Sequence, residues 1–166
     1  MKKIYYSWHD VENQTQEILR QIQQDAWRPD YVVGLTRGGL VPANLISQYL
    51  EIPMETLKVS LRDDNTEPES NLWMAEDAYN GKKILIVDDI NDSGATLNWI
   101  KEDWQESCLP EADRWFKAWG NNVRVATLVD NEASCSELNV SYSAVNLNKA
   151  EEDCWIVFPW EAWWSK

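Results

Sequence analysis

Asp88 and Asp89 stand side by side after four apolar residues, Ile84–Val87, and are followed closely by Asp92, Ser93, Gly94, Ala95 and Thr96. Carboxylates repel phosphate. They suit neutral hydroxyls, such as a ribose diol, or a divalent metal. The small residues that follow suit the opposite charge. A short loop feeding a helix leaves the first-turn N–H groups pointing outward, and the helix dipole favours an anion there. One segment therefore combines a site for hydroxyls or a cation with a cradle for phosphate.

A second loop of related chemistry lies earlier. Tyr31–Leu35 reads as a buried strand, and it runs into Thr36, Arg37, Gly38 and Gly39. Glycines let a backbone approach an anion closely, and an arginine with loop N–H groups suits pyrophosphate. Leu40 to Leu50 then reads as a helix, with Pro42 early enough to be tolerated.

These loops need elements to hold them. Ile84–Val87 is a short buried strand rich in β-branched residues, and Leu97, Trp99 and Ile100 begin a helix over about 94–108. Ser7 can cap an earlier helix, with Asp10 as a capping-box partner and a stripe of Val11, Ile18, Leu19 and Ile22 running toward Asp25. Met54–Ser60 alternates as a strand. Arg62 to Gly81 is polar and aperiodic, and reads as a loop. Leu109 to Asn122 looks like an insertion, with a helix over Glu111–Trp119 whose Trp115, Phe116 and Trp119 form an apolar edge. Further strands are expected at Val123–Val129, Val140–Val145 and Asp153–Phe158. The solitary His9 has no metal pattern around it and reads as a surface residue.

The chain has 166 residues, 44% of them apolar and 26% charged, with a net charge of −13. This balance fits a single domain over 1–166. The acidity argues against a nucleic-acid partner, and no apolar run is long enough to span a membrane. The N-terminus lacks the apolar core of a secretory signal. Cys108, Cys135 and Cys154 are widely spaced and odd in number, so reduced thiols and a cytoplasmic location are expected. Eleven tryptophans exceed ordinary usage, and most are expected in the core or a subunit interface.

The run from Ile84 to Thr96 resembles the 5-phosphoribosyl-1-pyrophosphate (PRPP) signature of the type I phosphoribosyltransferases: four apolar residues, two acids, two further residues, Asp, Ser or Thr, Gly, any residue, Thr. Every position matches, and the family carries a pyrophosphate loop one strand earlier, where Thr36–Gly39 lies. The resemblance implies an α/β fold, a mostly parallel sheet flanked by helices with a small C-terminal hood. It also implies PRPP and a small heterocyclic base as partners, Mg²⁺ as cofactor, and a homo-oligomer, dimer or tetramer. Asp92 matches the position proposed to handle the proton on the base. The 62–81 segment takes the place of a mobile loop that is often basic in the family; here it is acidic apart from Arg62 at its base, with Lys82 and Lys83 just beyond it.

Cys154–Glu161 is similar to the purine-binding end of the xanthine–guanine branch. On that resemblance Trp155 stacks on the base, the Ile156 backbone meets its edge, and Glu161 joins Asp89 near the metal. That branch usually has a lysine just after the fourth strand to read a 6-oxo group, and Asn131 stands there in this chain. A 6-oxopurine is favoured, while adenine or a non-purine acceptor stays open. A PRPP- or nucleotide-binding regulator of the same fold is the other class. A nucleic-acid-binding regulator would be marked by a basic face, which this acidic chain does not offer. A phosphatase or receiver domain could use paired acids after a strand, but would not need the Thr36–Gly39 loop as well.

Overall fold

The computed structural model describes residues 1–59 and 67–165. Arg62 lies outside the described residues. In chain order the elements are β1 (Lys2–Tyr5), α1 (Trp8–Gln24), β2 (Tyr31–Leu35), α2 (Leu40–Leu50), β3 (Met54–Leu57), α3 (Leu72–Tyr79), β4 (Ile84–Asn91), α4 (Ala95–Ser107), α5 (Arg114–Ala118), β5 (Val123–Asn131), β6 (Tyr142–Leu147) and β7 (Cys154–Val157), before a short 3₁₀ turn at Trp163–Ser165.

The main sheet has the order β3-β2-β4-β5-β6, with every pair parallel. Parallel strands need crossovers; helices supply those from β2 to β5 on both faces, while residues 132–141 join β5 to β6 without one. Because successive side chains alternate, Val32, Leu85 and Val87 pack with α1 and α2, while Val33, Ile84 and Ile86 pack with α3, α4 and α5. β4 is buried along its whole length, acids included. After β2 the chain passes outward to β3 and then returns to place β4 on the other side of β2. The crevice where strand order reverses, beyond the carboxyl ends, is where open α/β sheets take ligands.

The α1 start forms as its sequence implies: Ser7 Oγ accepts the Asp10 N–H at 3.0 Å, and Asp10 returns the bond to the Ser7 N–H at 2.8 Å. The hood is a two-stranded parallel pair, and half of it is N-terminal. β1 pairs with β7, with Lys3 opposite Trp155 and Ile4 opposite Ile156. The short N-terminal strand escaped the sequence reading because its alternation is too brief and its flanks are charged.

Other expectations shift. The segment read as a loop over 62–81 contains α3. Asn71 Oδ1 caps it by accepting the Met74 N–H at 3.0 Å, and Met74, Ala75 and Ala78 enter the core. Two turns carry too few apolar positions to show a period. The insertion's helix is shorter than expected, and Phe116 points outward at 88% exposure. Trp115 stacks on Trp119 with centroids 5.6 Å apart, and Trp119 meets Trp104 at 5.7 Å. Of the eleven tryptophans, Trp27, Trp104 and Trp115 are buried, while Trp8, Trp73, Trp155, Trp163 and Trp164 are exposed. Trp99, Trp119 and Trp160 are partly buried against the core clusters, so six of the eleven lie in or against the core. His9 lies on the surface beside Glu12. All three cysteines are free thiols. No helix among the described residues is long and apolar enough to cross a membrane.

Trp104 is fully buried and its indole N–H has no hydrogen-bond partner. Trp104→Ala should cost about 3–5 kcal/mol of stability. Trp104→Phe should cost distinctly less, because it removes an unsatisfied donor along with part of the ring. Urea unfolding of the two variants checks the order; equal losses would show that ring size alone governs this position.

Candidate active site

Both loops singled out from the sequence open at the reversal of strand order, one after β2 and one after β4. A pocket there is lined by Asp88, Ile90, Asn91, Asp92, Ser93, Gly94, Ala95, Thr96, Leu97 and Thr127. It therefore gathers Asp88 and the whole 92–96 stretch.

Asp88 and Asp89 belong to β4 itself and are buried, Asp89 to 3% exposure. Buried carboxylates are costly unless hydrogen bonded. Asp88 Oδ1 accepts the Asp89 N–H at 2.9 Å, and Asp89 Oδ1 accepts the Ile90 N–H at 2.7 Å. The Asp89 carboxylate also lies against the other loop. A Cβ on Gly38 would fall 2.2 Å from Asp89 Oδ2, and one on Gly39 would fall 2.2 Å from the Val87 carbonyl oxygen. The glycines are there because β4 and the 36–39 loop touch. The Thr36–Arg37 peptide is cis.

The helix end is equally specific. α4 starts at Gly94, in the left-handed region with φ 91°, and no side chain caps it from that position, whereas Ser7 and Asn71 cap α1 and α3. Ser93 Oγ accepts the Ala95 N–H at 3.2 Å. Gly94 has a packing reason too: a Cβ would fall 2.4 Å from the Ser136 backbone nitrogen. A branched residue there would strain the 135–136 turn as well as block an anion, so Gly94 is a poor position for isolating anion binding.

Asp92 is partly exposed, and its Oδ1 pairs with Lys149 Nζ at 3.0 Å. Asn131, the last residue of β5, stands between the two segments. Its Nδ2 donates to the Asp92 carbonyl at 3.0 Å and more weakly to Oδ1 at 3.4 Å. Its Oδ1 accepts the backbone N–H of Ala133 at 3.1 Å and of Lys149 at 3.0 Å. The amide expected to face a base is thus engaged inside the protein, because the strand runs two residues further than expected and carries Asn131 into the packed layer.

Trp155 is 43% exposed, with the Lys149 ammonium 5.5 Å from its ring centroid. Ile156 turns its side chain into the core. Lys2 N–H donates to the Asp153 carbonyl and Tyr6 N–H to the Val157 carbonyl. By the two-residue alternation of a ladder, the Ile156 backbone groups point to the edge away from β1. Glu161 is exposed and its Oε2 accepts the Phe158 N–H at 2.6 Å, which ties down the turn after β7. The described residues contain no group of three or more His, Cys, Asp and Glu that could hold a metal. A hard cation here would rest on Asp88 and Asp89 and on ligand oxygens, which is how Mg²⁺ is commonly held beside phosphates.

Sequence reading missed two residues. Lys149 lies in a polar connection with no periodicity. Thr127 lies inside an apolar strand, opposite Asp88 in register, and its buried hydroxyl has no partner while lining the pocket.

Comparison with known proteins agrees with this geometry. The chain is 30% identical to the xanthine-guanine phosphoribosyltransferase of Cereibacter sphaeroides, covering 96% of this chain and 87% of that one. It is 24% identical to the hypoxanthine-guanine phosphoribosyltransferase of Schizosaccharomyces pombe, covering 96% and 89%. The crystal structure of the purine phosphoribosyltransferase of Pyrococcus horikoshii superposes with a TM-score of 0.66 at 25% identity, covering 97% and 95%. The phosphoribosyl transferase domain matches residues 1–165. With two anion-type loops meeting at the reversal of a parallel sheet and this match over the chain, the protein belongs to the phosphoribosyltransferase family and is an enzyme of that kind.

Proposed function

We propose that the protein transfers a phosphoribosyl group from PRPP to a purine base and releases pyrophosphate, with Mg²⁺ as cofactor. The observation that carries this reading is the meeting of the 36–39 and 88–96 loops in one crevice, with the exposed Trp155 ring joined to it through Lys149 and Asp92. The purine names of the relatives support the choice of acceptor.

In this reading the first-turn N–H groups of α4, with Ser93, Ala95 and Thr96, hold the 5′-phosphate. Asp88 and Asp89 accept from the ribose hydroxyls. Arg37 and the amides of Thr36–Gly39 hold the pyrophosphate. Asp89, against Gly38, is the carboxylate nearest that leaving group and so the one to share Mg²⁺; Glu161 serves the turn that carries Trp155. Bound Mg²⁺ supplies charge neutralisation on the pyrophosphate oxygens.

As the C1–oxygen bond to pyrophosphate breaks, positive charge develops on the ribose and negative charge on the leaving group. The new bond forms from a base nitrogen to C1. Holding the flat base on Trp155 aligns that nitrogen, and Arg37 with the loop amides stabilises the departing charge. Asp92 receives the proton that the base nitrogen loses.

A panel of bases incubated with PRPP and Mg²⁺, read out as pyrophosphate release, tests the reading. Release with at least one purine is expected. Binding of PRPP with no release for any base would make the protein a binder rather than a transferase.

Two substitutions examine the parts. Asp92→Asn should keep PRPP affinity and lower kcat by about 10²–10⁴-fold, the usual worth of a positioned acid–base group; a loss below about fivefold would leave Asp92 with a purely structural task. Gly38→Ala should drive a methyl into Asp89, weaken PRPP at least tenfold, about 1.4 kcal/mol, and lower Tm as well, since a Cβ 2.2 Å from a buried carboxylate oxygen must displace it. Calorimetric titration with PRPP checks this, and an unchanged Kd would remove the Asp89–Gly38 contact from the site.

A further inference from the structure

Lys149 reaches into the crevice from the connection that follows β6. Its side chain is only 15% exposed. Its ammonium lies 3.0 Å from Asp92 Oδ1 and over the ring of Trp155, 5.5 Å from the centroid. One group can make both contacts only on the face of Trp155 that is turned toward Asp92 and the 92–96 loop. That face is the one a base would stack on in the proposed transfer. A flat heterocycle packs about 3.5–4 Å from a ring, so an ammonium at this height would stand roughly 2 Å from the plane of the base, well inside contact distance.

We propose that Lys149 is an autoinhibitory side chain: its ammonium and the base exclude one another on Trp155, and the arriving base displaces it and frees the Asp92 carboxylate. This rests on the phosphoribosyl-transfer reading given above, and is independent of which purine is accepted.

The surrounding backbone confines the motion to the side chain. The Lys149 N–H donates to Asn131 Oδ1 at 3.0 Å. Asn148 Oδ1 accepts the Ala150 N–H at 3.0 Å, and the Asn148 carbonyl accepts the Glu151 and Glu152 N–H groups at 3.1 and 3.0 Å. With this turn fixed, an ammonium on a flexible four-carbon stem can still swing outward, where Glu151, Glu152 and Asp153 are exposed. Asp92 is not set loose with it, because Asn131 Nδ2 holds the Asp92 carbonyl at 3.0 Å. The carboxylate stays in place and becomes available for a proton only when a base is there to give one. The contacts that break are one partly exposed ion pair and one cation–π contact, each individually weak. The latch therefore attenuates base affinity without abolishing it.

Two ligands test this. Inosine 5′-monophosphate carries a base onto Trp155, and ribose 5-phosphate fills the same sugar and phosphate positions without one. Calorimetric titration gives the ratio of their affinities. In Lys149→Met the nucleotide should gain about 3- to 30-fold over ribose 5-phosphate relative to the wild type, the population recovered when both weak contacts are removed. Lys149→Arg, which keeps the charge and the reach, should leave the ratio within about twofold of wild type. A ratio unchanged or lowered in Lys149→Met overturns the proposal, and so does an equal rise in Lys149→Arg, since the charge would then play no part. A measurement on the wild type decides the matter if Lys149→Met does not fold. Acetylation of Lys149 by acetic anhydride, followed by mass spectrometry, should run several-fold faster with saturating nucleotide, because the displaced ammonium is exposed. An unchanged or slower rate overturns the proposal. Absence of pyrophosphate release from PRPP with every purine would overturn the transfer reading itself, an outcome separate from how Lys149 responds to the nucleotide.

Discussion

Two carboxylates buried at the end of a fully covered strand impose most of the local design. Asp88 and Asp89 sit in the low-dielectric interior of β4, where an ionised group is tolerated only if hydrogen-bond donors or cations surround it. Backbone N–H groups of the same strand end satisfy part of that demand. The 36–39 loop must come close enough to touch Asp89, and that closeness excludes any side chain at residue 38. The candidate anion loop at 36–39 is thus built against a carboxylate. In the proposed reading the opposing requirements are met by giving hydroxyls and metal to the acids, and phosphates to backbone N–H groups and Arg37.

The sheet order makes this arrangement possible. Since β2 and β4 are neighbours while β3 lies on the outer side of β2, the loops leaving β2 and β4 diverge to opposite faces and leave a crevice between them. Each helix that follows presents its N-terminus to that crevice, and α4 does so with no side chain at Gly94 competing for its amides. The sequence −13 charge is no obstacle, because surface charges beyond a Debye length of ~8 Å are screened at physiological salt.

The hood couples the chain termini to the site. β1 and β7 pair in parallel, so Trp155 is held in register by residues from the start of the chain. Phe158 stacks on Trp160 with ring planes 2° apart, and Trp160 meets Trp8 at the start of α1. Aromatic packing therefore sets the hood's position over the strand ends, while Glu161 secures the turn. This is where several of the extra tryptophans act, half-exposed along a seam rather than inside the sheet layers.

Much of the site was legible in the chain itself, because local chemistry specifies it. A hydrophobic strand ending in acids and a loop of small residues before a helix are contiguous, and their backbone geometry follows from residue type over a few positions. The capping box at Ser7, the α2 boundaries, the strand β2 and the apolar half of β4 were readable for the same reason, while the extension of β4 through Asp88 and Asp89 to Asn91 was not. Tertiary structure alone decided the rest. Nothing in the polar stretch between Leu147 and Cys154 marks Lys149, whose meeting with Asp92 requires two strands to end side by side. Asn131 reads as a residue facing the base until β5 is seen to carry it into a network with Asp92 and Lys149. Likewise β1, α3 and the outward turn of Phe116 depend on partners distant in the chain, and short segments carry too little periodicity to announce which partner they will find.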